Sequence, residues 1–184
     1  GILKDAGKRA DLALKNAGDT LIVVGKTAGW LGASIYLREI EGIEDGAPPP
    51  VDLKAEKRNG DFVRGLIGNG LVTACHDASD GGLLCTIAEM ALAGRKGAAL
   101  TPARTDNAFL FGEDQSRYVI ATAKPAKLLE LAQKALAGDA PAKVKEALAG
   151  WIAGKNDPAA SRQFGDQLKA LLKGSKDPLL AESE

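Results

Sequence analysis

The chain has 184 residues, room for one domain or two small ones, and it holds no run of about 18 uncharged apolar residues that could cross a membrane as a helix. Its 24 basic and 24 acidic side chains cancel to a formal net charge of +0, which removes any bulk attraction to nucleic acid or to an anionic membrane. A single histidine and two cysteines exclude the usual four-ligand zinc site.

The first 15 residues carry charges where a signal peptide needs a continuous apolar stretch, so a cytoplasmic location is expected. Cys75 and Cys85, both in apolar surroundings, read as small core residues of a reducing compartment. Aromatic residues make up 4% of the chain against 22 glycines, so Leu, Ala, Val and Ile must build the core and glycine the loops.

From Arg9 to Lys15 apolar and charged residues alternate, the turn Asn16-Ala17-Gly18-Asp19 follows, and Thr20 to Val24 is a β-branched run; together they predict a hairpin whose second strand is buried on both faces. Ser34 is placed to start a short helix over Ile35 to Glu41. Consecutive prolines at Pro48, Pro49 and Pro50 require an extended connector. Asp52 then caps an amphipathic helix reaching about Asn69, with Leu53, Val63, Leu66 and Ile67 inward and Gly70 as its stop.

Leu71 to Cys75 reads as the next strand, His76 to Gly82 as a polar loop, and Gly82 to Ala93 as a helix apolar nearly all round, hence central and buried. A third apolar stretch, Asn107 to Phe111, meets the charged turn 112–117, and Tyr118 to Thr122 is a strand. The alternation of helix and strand predicts an α/β or α+β layer structure. Beyond Pro125 the texture turns to Ala, Leu and Lys, with helices expected over 127–137, 142–153 and 161–173 and no strand after Thr122. Leu128, Leu131, Leu148, Trp151, Phe164, Leu168 and Leu171 would hold this extension, covering a sheet edge or face.

Three loops could carry chemistry. His76-Asp77-Ala78-Ser79-Asp80-Gly81-Gly82 leads a strand end into a helix start, where free N–H groups favour an anion and two aspartates favour Mg²⁺ shared with phosphate. The alternative is that Asp80 or Ser79 caps the helix while Gly81 and Gly82 permit a tight turn. His76 could serve as a general base, yet no triad surrounds it, and a hydrogen-bonded structural role is the plainer reading. Glu113, Asp114, Gln115, Ser116 and Arg117 offer acceptors, an amide and a guanidinium able to fork onto phosphate, or simply a solvated turn. Gly25-Lys26-Thr27 fails as a phosphate loop of the Walker kind because position 20 is Thr, not Gly.

Taken together, the run from Leu21 to Tyr36, the Ala-Pro-Pro-Pro-Val-Asp-Leu of Ala47 to Leu53, the His-Asp-x-Ser-Asp-Gly-Gly-Leu of His76 to Leu83, and the Leu-Phe-Gly-Glu-Asp-Gln-Ser-Arg-Tyr-Val of Leu110 to Val119 resemble the C-terminal domain of phosphoribosylformylglycinamidine synthase. The resemblance runs from Asp5 to about Ala132. It implies an AIR-synthase-type α+β domain over 1–124, a mixed sheet with packed helices; the helical extension read over 125–184, expected on the same core, departs from the family, which closes this domain with a glycine-rich strand pair. The intact enzymes convert a ribonucleotide amide to an amidine, with ATP activating the amide oxygen and a glutaminase subunit supplying ammonia. By that resemblance Asp77 is an expected Mg²⁺ ligand and Glu113 and Gln115 lie where substrate is contacted; the residues themselves add Asp80 as the second metal carboxylate and Arg117, Gly81 and Gly82 to the expected site for ATP or ADP or for substrate. The family's catalytic histidine belongs to an ATP-binding half outside these residues, which is the expected partner, and His76 does not replace it. No nucleic acid or membrane partner is implied. The competing class is a noncatalytic scaffold that keeps the family core for packing.

Overall fold

In the computed structural model, residues 5–102, 104–128, 130–131 and 153–154 are described. The strands β1 Thr20–Val24, β2 Ala74–Asp77, β3 Tyr118–Thr122 and β4 Ala153–Gly154 form one sheet in the spatial order β2, β3, β1, β4. Around it lie helices α1 Leu53–Gly68, α2 Gly82–Gly94 and α3 Asn107–Phe111, and a π-helical turn, Leu37–Glu41. The fold class is α+β, as the alternation of elements implies. Every strand pairing among the described residues is antiparallel, so the parallel pair that a mixed sheet would carry is not found there.

The sheet is buried on both faces because its central strands alternate two sets of apolar side chains. Leu21 and Val23 of β1 and Val119 and Ala121 of β3 pack with Leu83, Ile87 and Met90 of α2. Ile22 and Val24 of β1 and Ile120 of β3 face the other way, onto Val63 and Leu66 of α1 and onto Leu128. Each of these side chains larger than alanine contributes roughly 1.5–3 kcal/mol by leaving water. In β1 no residue is exposed, which accounts for an apolar run lacking a polar face.

The helix boundaries follow local chemistry. Asp52 accepts from the amides of Lys54 (2.8 Å) and Ala55 (3.0 Å) and so caps α1, and Gly70, at φ 64°, turns the chain out of the helix. The hydroxyl of Ser34 accepts from Leu37 N at 3.2 Å, starting the short turn as its position suggests. Leu53, expected inward, is 75% exposed, because the first turn of α1 stands clear of the sheet and burial begins at Asn59.

Several further expectations are corrected. Arg9 to Lys15 forms no strand: the Asp11 carboxylate turns the chain by accepting from Ala13 N, while Asp11 O accepts from Cys75 N (2.9 Å) and Leu14 N donates to Met90 O (3.1 Å). The segment thus crosses from the edge of β2 to α2 instead of pairing with β1. β2 begins and ends later than its apolar run, since Leu71 and Val72 finish the packing against α1, while His76 and Asp77 pair with Val119 and Tyr118. α2 is buried on one face only, and Leu92 on the other face is 78% exposed.

The expectation of no strand after Thr122 also fails: Ala153 and Gly154 pair with Ile22 and Leu21. The physical reason is the outer edge of β1, whose backbone groups would otherwise lack partners beside a dry core. Leu128 is buried and Leu131 partly buried against the α1 side of the core, as the helical spacing suggests. Leu148, Trp151, Phe164, Leu168, Leu171 and the expected helices over 142–153 and 161–173 lie outside the described residues, apart from the backbone of 153.

Candidate functional site

One end of the sheet gathers the motif loops. Val24 and Tyr118 are paired there, and so are Tyr118 and Asp77, so the loops 25–35, 77–82 and 112–117 leave the strands side by side. The connector 47–50 joins them through the Trp30 indole, which donates to Ala47 O at 2.9 Å.

Acidic side chains of the 112–117 loop tie this end together. Glu113 Oε1 accepts from Gly81 N and from Ile35 N, both at 2.8 Å. The Asp114 carboxylate, on a residue only 8% exposed, accepts from Gly29 N (2.9 Å) and Trp30 N (3.3 Å). Arg117 is 1% exposed, with Nε donating to Asp114 O (3.0 Å), Nη2 to Gly112 O (2.5 Å) and Nη1 to Thr27 Oγ1 (3.4 Å). Burial draws its pKa down from the usual value, opposed by the nearby Asp114 and Glu113 carboxylates. A guanidinium so engaged holds loops; its fork is turned onto protein oxygens rather than outward.

Gly81 and Gly82 have φ of 72° and 69°, the left-handed conformation that sharply redirects the chain into α2. A Cβ on Gly82 would stand 2.6 Å from Gly112 O, so glycine is required there for space as well. Neither Asp80 nor Ser79 caps α2: the cap position is Gly81 and no side chain bonds there from within the loop. The anion at the helix start comes instead from Glu113, which accepts from Gly81 N.

Asp77 and Asp80 are exposed, and Asp80 lies close enough to Arg38 to raise the guanidinium pKa, after the larger effects of Glu39 and Glu44. His76 Nε2 meets Glu89 at 2.9 Å and Nδ1 meets Asp77 at 3.2 Å, the hydrogen-bonded role expected of a lone strand-end histidine. Among the described residues no group of three or more His, Cys, Asp or Glu side chains converges on a metal position. Asp77 and Asp80 fit Mg²⁺ only in the manner in which that ion shares a carboxylate or two with water and phosphate oxygens. Both cysteines are free, and burial pushes the Cys75 thiol up to about 11, so it is not a nucleophile at neutral pH.

Beside these loops lies a cavity of about 300 Å³ between the start of α1 and the 112–117 turn. Lys26, Pro49, Arg58, Asn59 and Gln115 line it, with Asp52 and Asp114 at its wall. Asn59 is 2% exposed; its amide donates to Ser116 O (2.9 Å) and Ser116 Oγ (3.0 Å), while its Oδ1 has no partner among the described residues. Ser116 is held at φ 65°, a left-handed conformation that costs a non-glycine residue about 1–2 kcal/mol. A larger cavity, about 440 Å³, lies at the far end of β1 between Asn16–Asp19 and Lys96–Ala99, and none of the residues of the loops 25–35, 77–82 and 112–117 lines it. The smaller cavity is preferred as the site because amide and cationic groups converge on it next to the motif loops.

Of the residues singled out by sequence, Glu113 and Gly81 are brought into contact, Gln115 faces the cavity, and Gly82 shapes the turn between them. Lys26, Arg58 and Asn59 were not singled out as site residues. Asn59 carries a legible signal: it falls at helical spacing with Val63 and Leu66, a polar residue on the apolar stripe of α1.

The family model described as AIR synthase related protein, C-terminal domain, matches residues 16–146. A second, pyruvate-ferredoxin oxidoreductase, insertion domain, matches residues 124–180. Phosphoribosylformylglycinamidine synthase subunit PurL of Methylocella silvestris is 55% identical over 140 residues, covering 75% of this chain and 19% of that protein. The subunit of the same name from Rhodopseudomonas palustris is 57% identical over 137 residues, covering 73% and 18%. The chain thus spans about a fifth of the length of the curated relatives it matches. A solved structure of T. maritima PurL complexed with FGAR is 25% identical at a TM-score of 0.58, covering 70% of this chain and 24% of that one. The same protein complexed with ATP is 24% identical at a TM-score of 0.51 and speaks for the fold alone.

Proposed function

Since this chain belongs to the AIR synthase related protein family as its C-terminal domain, we propose that it serves a phosphoribosylformylglycinamidine synthase of the PurL kind as the wall of a phosphate-bearing ligand cleft. The observation that carries this reading is the convergence of the motif loops at one sheet end, beside a cavity edged by Lys26, Arg58, Asn59 and Gln115. Lys26 and Arg58 supply positive charge for phosphate, and Gln115 supplies an amide for the base, ribose or substrate amide. Glu113, Arg117, Gly81 and Gly82 serve the site by fixing its loops. Asp77 and Asp80 are proposed as carboxylates that would hold a Mg²⁺ shared with phosphate oxygens, the ion supplying charge neutralisation when bound.

In this reading the amide-to-amidine reaction of purine biosynthesis requires ATP, an ATP-binding half and a glutaminase partner, and the chain is inactive by itself. A cytoplasmic setting belongs to the same proposal. So does a boundary near residue 125: the second family match starts at Lys124, while the first runs on to 146 and Leu128 packs in the first part's core. The test is calorimetric titration of the chain with MgADP and then with formylglycinamide ribonucleotide. Saturable heat with either supports the cleft; no heat and no thermal shift with both favours a noncatalytic scaffold.

A further inference from the structure

We propose that Glu113 is a positioning residue: one of its carboxylate oxygens clasps the 77–82 loop to the 29–35 loop and so sets the Asp77 and Asp80 edge against the Gln115 cavity. The inference deepens the cleft reading above and rests on it for its functional consequence, but the clasp itself stands on geometry. Glu113 Oε1 lies 2.8 Å from both Gly81 N and Ile35 N, amides that open α2 and the turn before Leu37. Such amides at helix starts lack intrahelical acceptors and carry partial positive charge, so they attract an anion. Here the chain supplies that anion itself, and a ligand phosphate is directed elsewhere.

The neighbouring residues make the clasp rigid. Glu113 N donates to Trp30 O at 2.8 Å, Asp114 holds Gly29 and Trp30, and Arg117 holds Gly112 and Thr27. Within the turn the charged side chains therefore point to protein partners, and Gln115, exposed and bonded only weakly to Glu113 O at 3.5 Å, is the side chain left to meet a ligand. Residues that look alike in a charged turn thus divide into holders and a reader.

Two substitutions separate reach from charge. Glu113→Gln keeps the length and one acceptor oxygen but loses the charge; Glu113→Asp keeps the charge and withdraws it by one methylene. Amide hydrogen exchange at Gly81 and Ile35, read by NMR, and MgADP affinity are measured on the whole chain. In the wild-type protein both amides should exchange slowly, and free exchange at either one overturns the clasp. Glu113→Asp, which withdraws the oxygen from both amides, should speed them and weaken MgADP by about tenfold, while Glu113→Gln, which leaves a neutral and weaker acceptor in place, should speed them and weaken MgADP by less than Glu113→Asp does. The opposite order, with Glu113→Gln losing MgADP and Glu113→Asp keeping it while both amides stay slow, would make Glu113 a direct ligand contact and overturn the proposal. If the two amides respond as expected but the wild-type chain binds no MgADP, the clasp holds and the nucleotide reading alone falls.

Discussion

Two pairs of loop carboxylates, Asp77 with Asp80 and Glu113 with Asp114, look alike in the sequence and meet opposite fates in the fold. The first pair remains exposed, Asp77 beside His76 Nδ1 and Asp80 near Arg38, and neither carboxylate holds a backbone amide among the described residues. The second pair spends its oxygens on the backbone amides of Gly29, Trp30, Ile35 and Gly81. The difference teaches that acidity in a loop marks a ligand site only after internal hydrogen bonding is counted. Carboxylates bonded to backbone amides, whether at helix starts as Glu113 is or within a loop as Asp114 is, are structure, and the exposed ones beside them are available for chemistry.

The comparison can be broken most severely at Asp114. Asp114→Ala would take from the buried Arg117 the first of its two nearby carboxylates, leaving Glu113, and would free the Gly29 and Trp30 amides, so urea denaturation should show a loss of about 3 kcal/mol, the lower end of the scale for breaking a buried ion pair. Next comes Gly82→Ala, where a left-handed φ and a Cβ pressed on Gly112 O should cost about 2 kcal/mol or more by the same measurement. Asp52→Ala tests a carboxylate that caps rather than clasps. Bonds from the Ala55 and Lys54 amides hold Asp52 below the usual carboxylate range, so its stabilisation is complete above the unfolded carboxylate's titration and fades as pH falls through the folded one. The urea midpoints of wild type and Asp52→Ala should therefore differ at neutral pH and converge on acidification. The smallest effect belongs to Asp80→Ala, which should change stability by less than about 0.5 kcal/mol because Asp80 caps nothing. A loss near 1 kcal/mol would restore it as the helix cap.

The parts of the fold that could be read from the sequence are those whose cause is local. Thr20 to Val24 and Tyr118 to Thr122 are strands with the expected bounds because β-branched residues between turn signals leave little else for them to be. Asp52 and Gly70 bracket α1 for equally local reasons. Arg9 to Lys15 misleads because its partners, Cys75 and Met90, are remote in sequence. The inward role of Glu113 was hidden in the same way: nothing near residue 113 announces that Ile35 and Gly81 present unpaired amides to it. Asn59 lies between these cases, since its place on the apolar stripe was legible while its bonds to Ser116 were not.

The most direct measurement of the central claim is MgADP titration of the wild-type chain beside Asp77→Asn, at fixed salt. If the exposed carboxylates are the ones available to a metal–phosphate ligand, the wild-type chain binds and Asp77→Asn loses about 1–3 kcal/mol of binding free energy with its fold intact. Equal affinity in the two proteins would contradict the account, for then the uncommitted pair would be as idle toward ligand as the committed one.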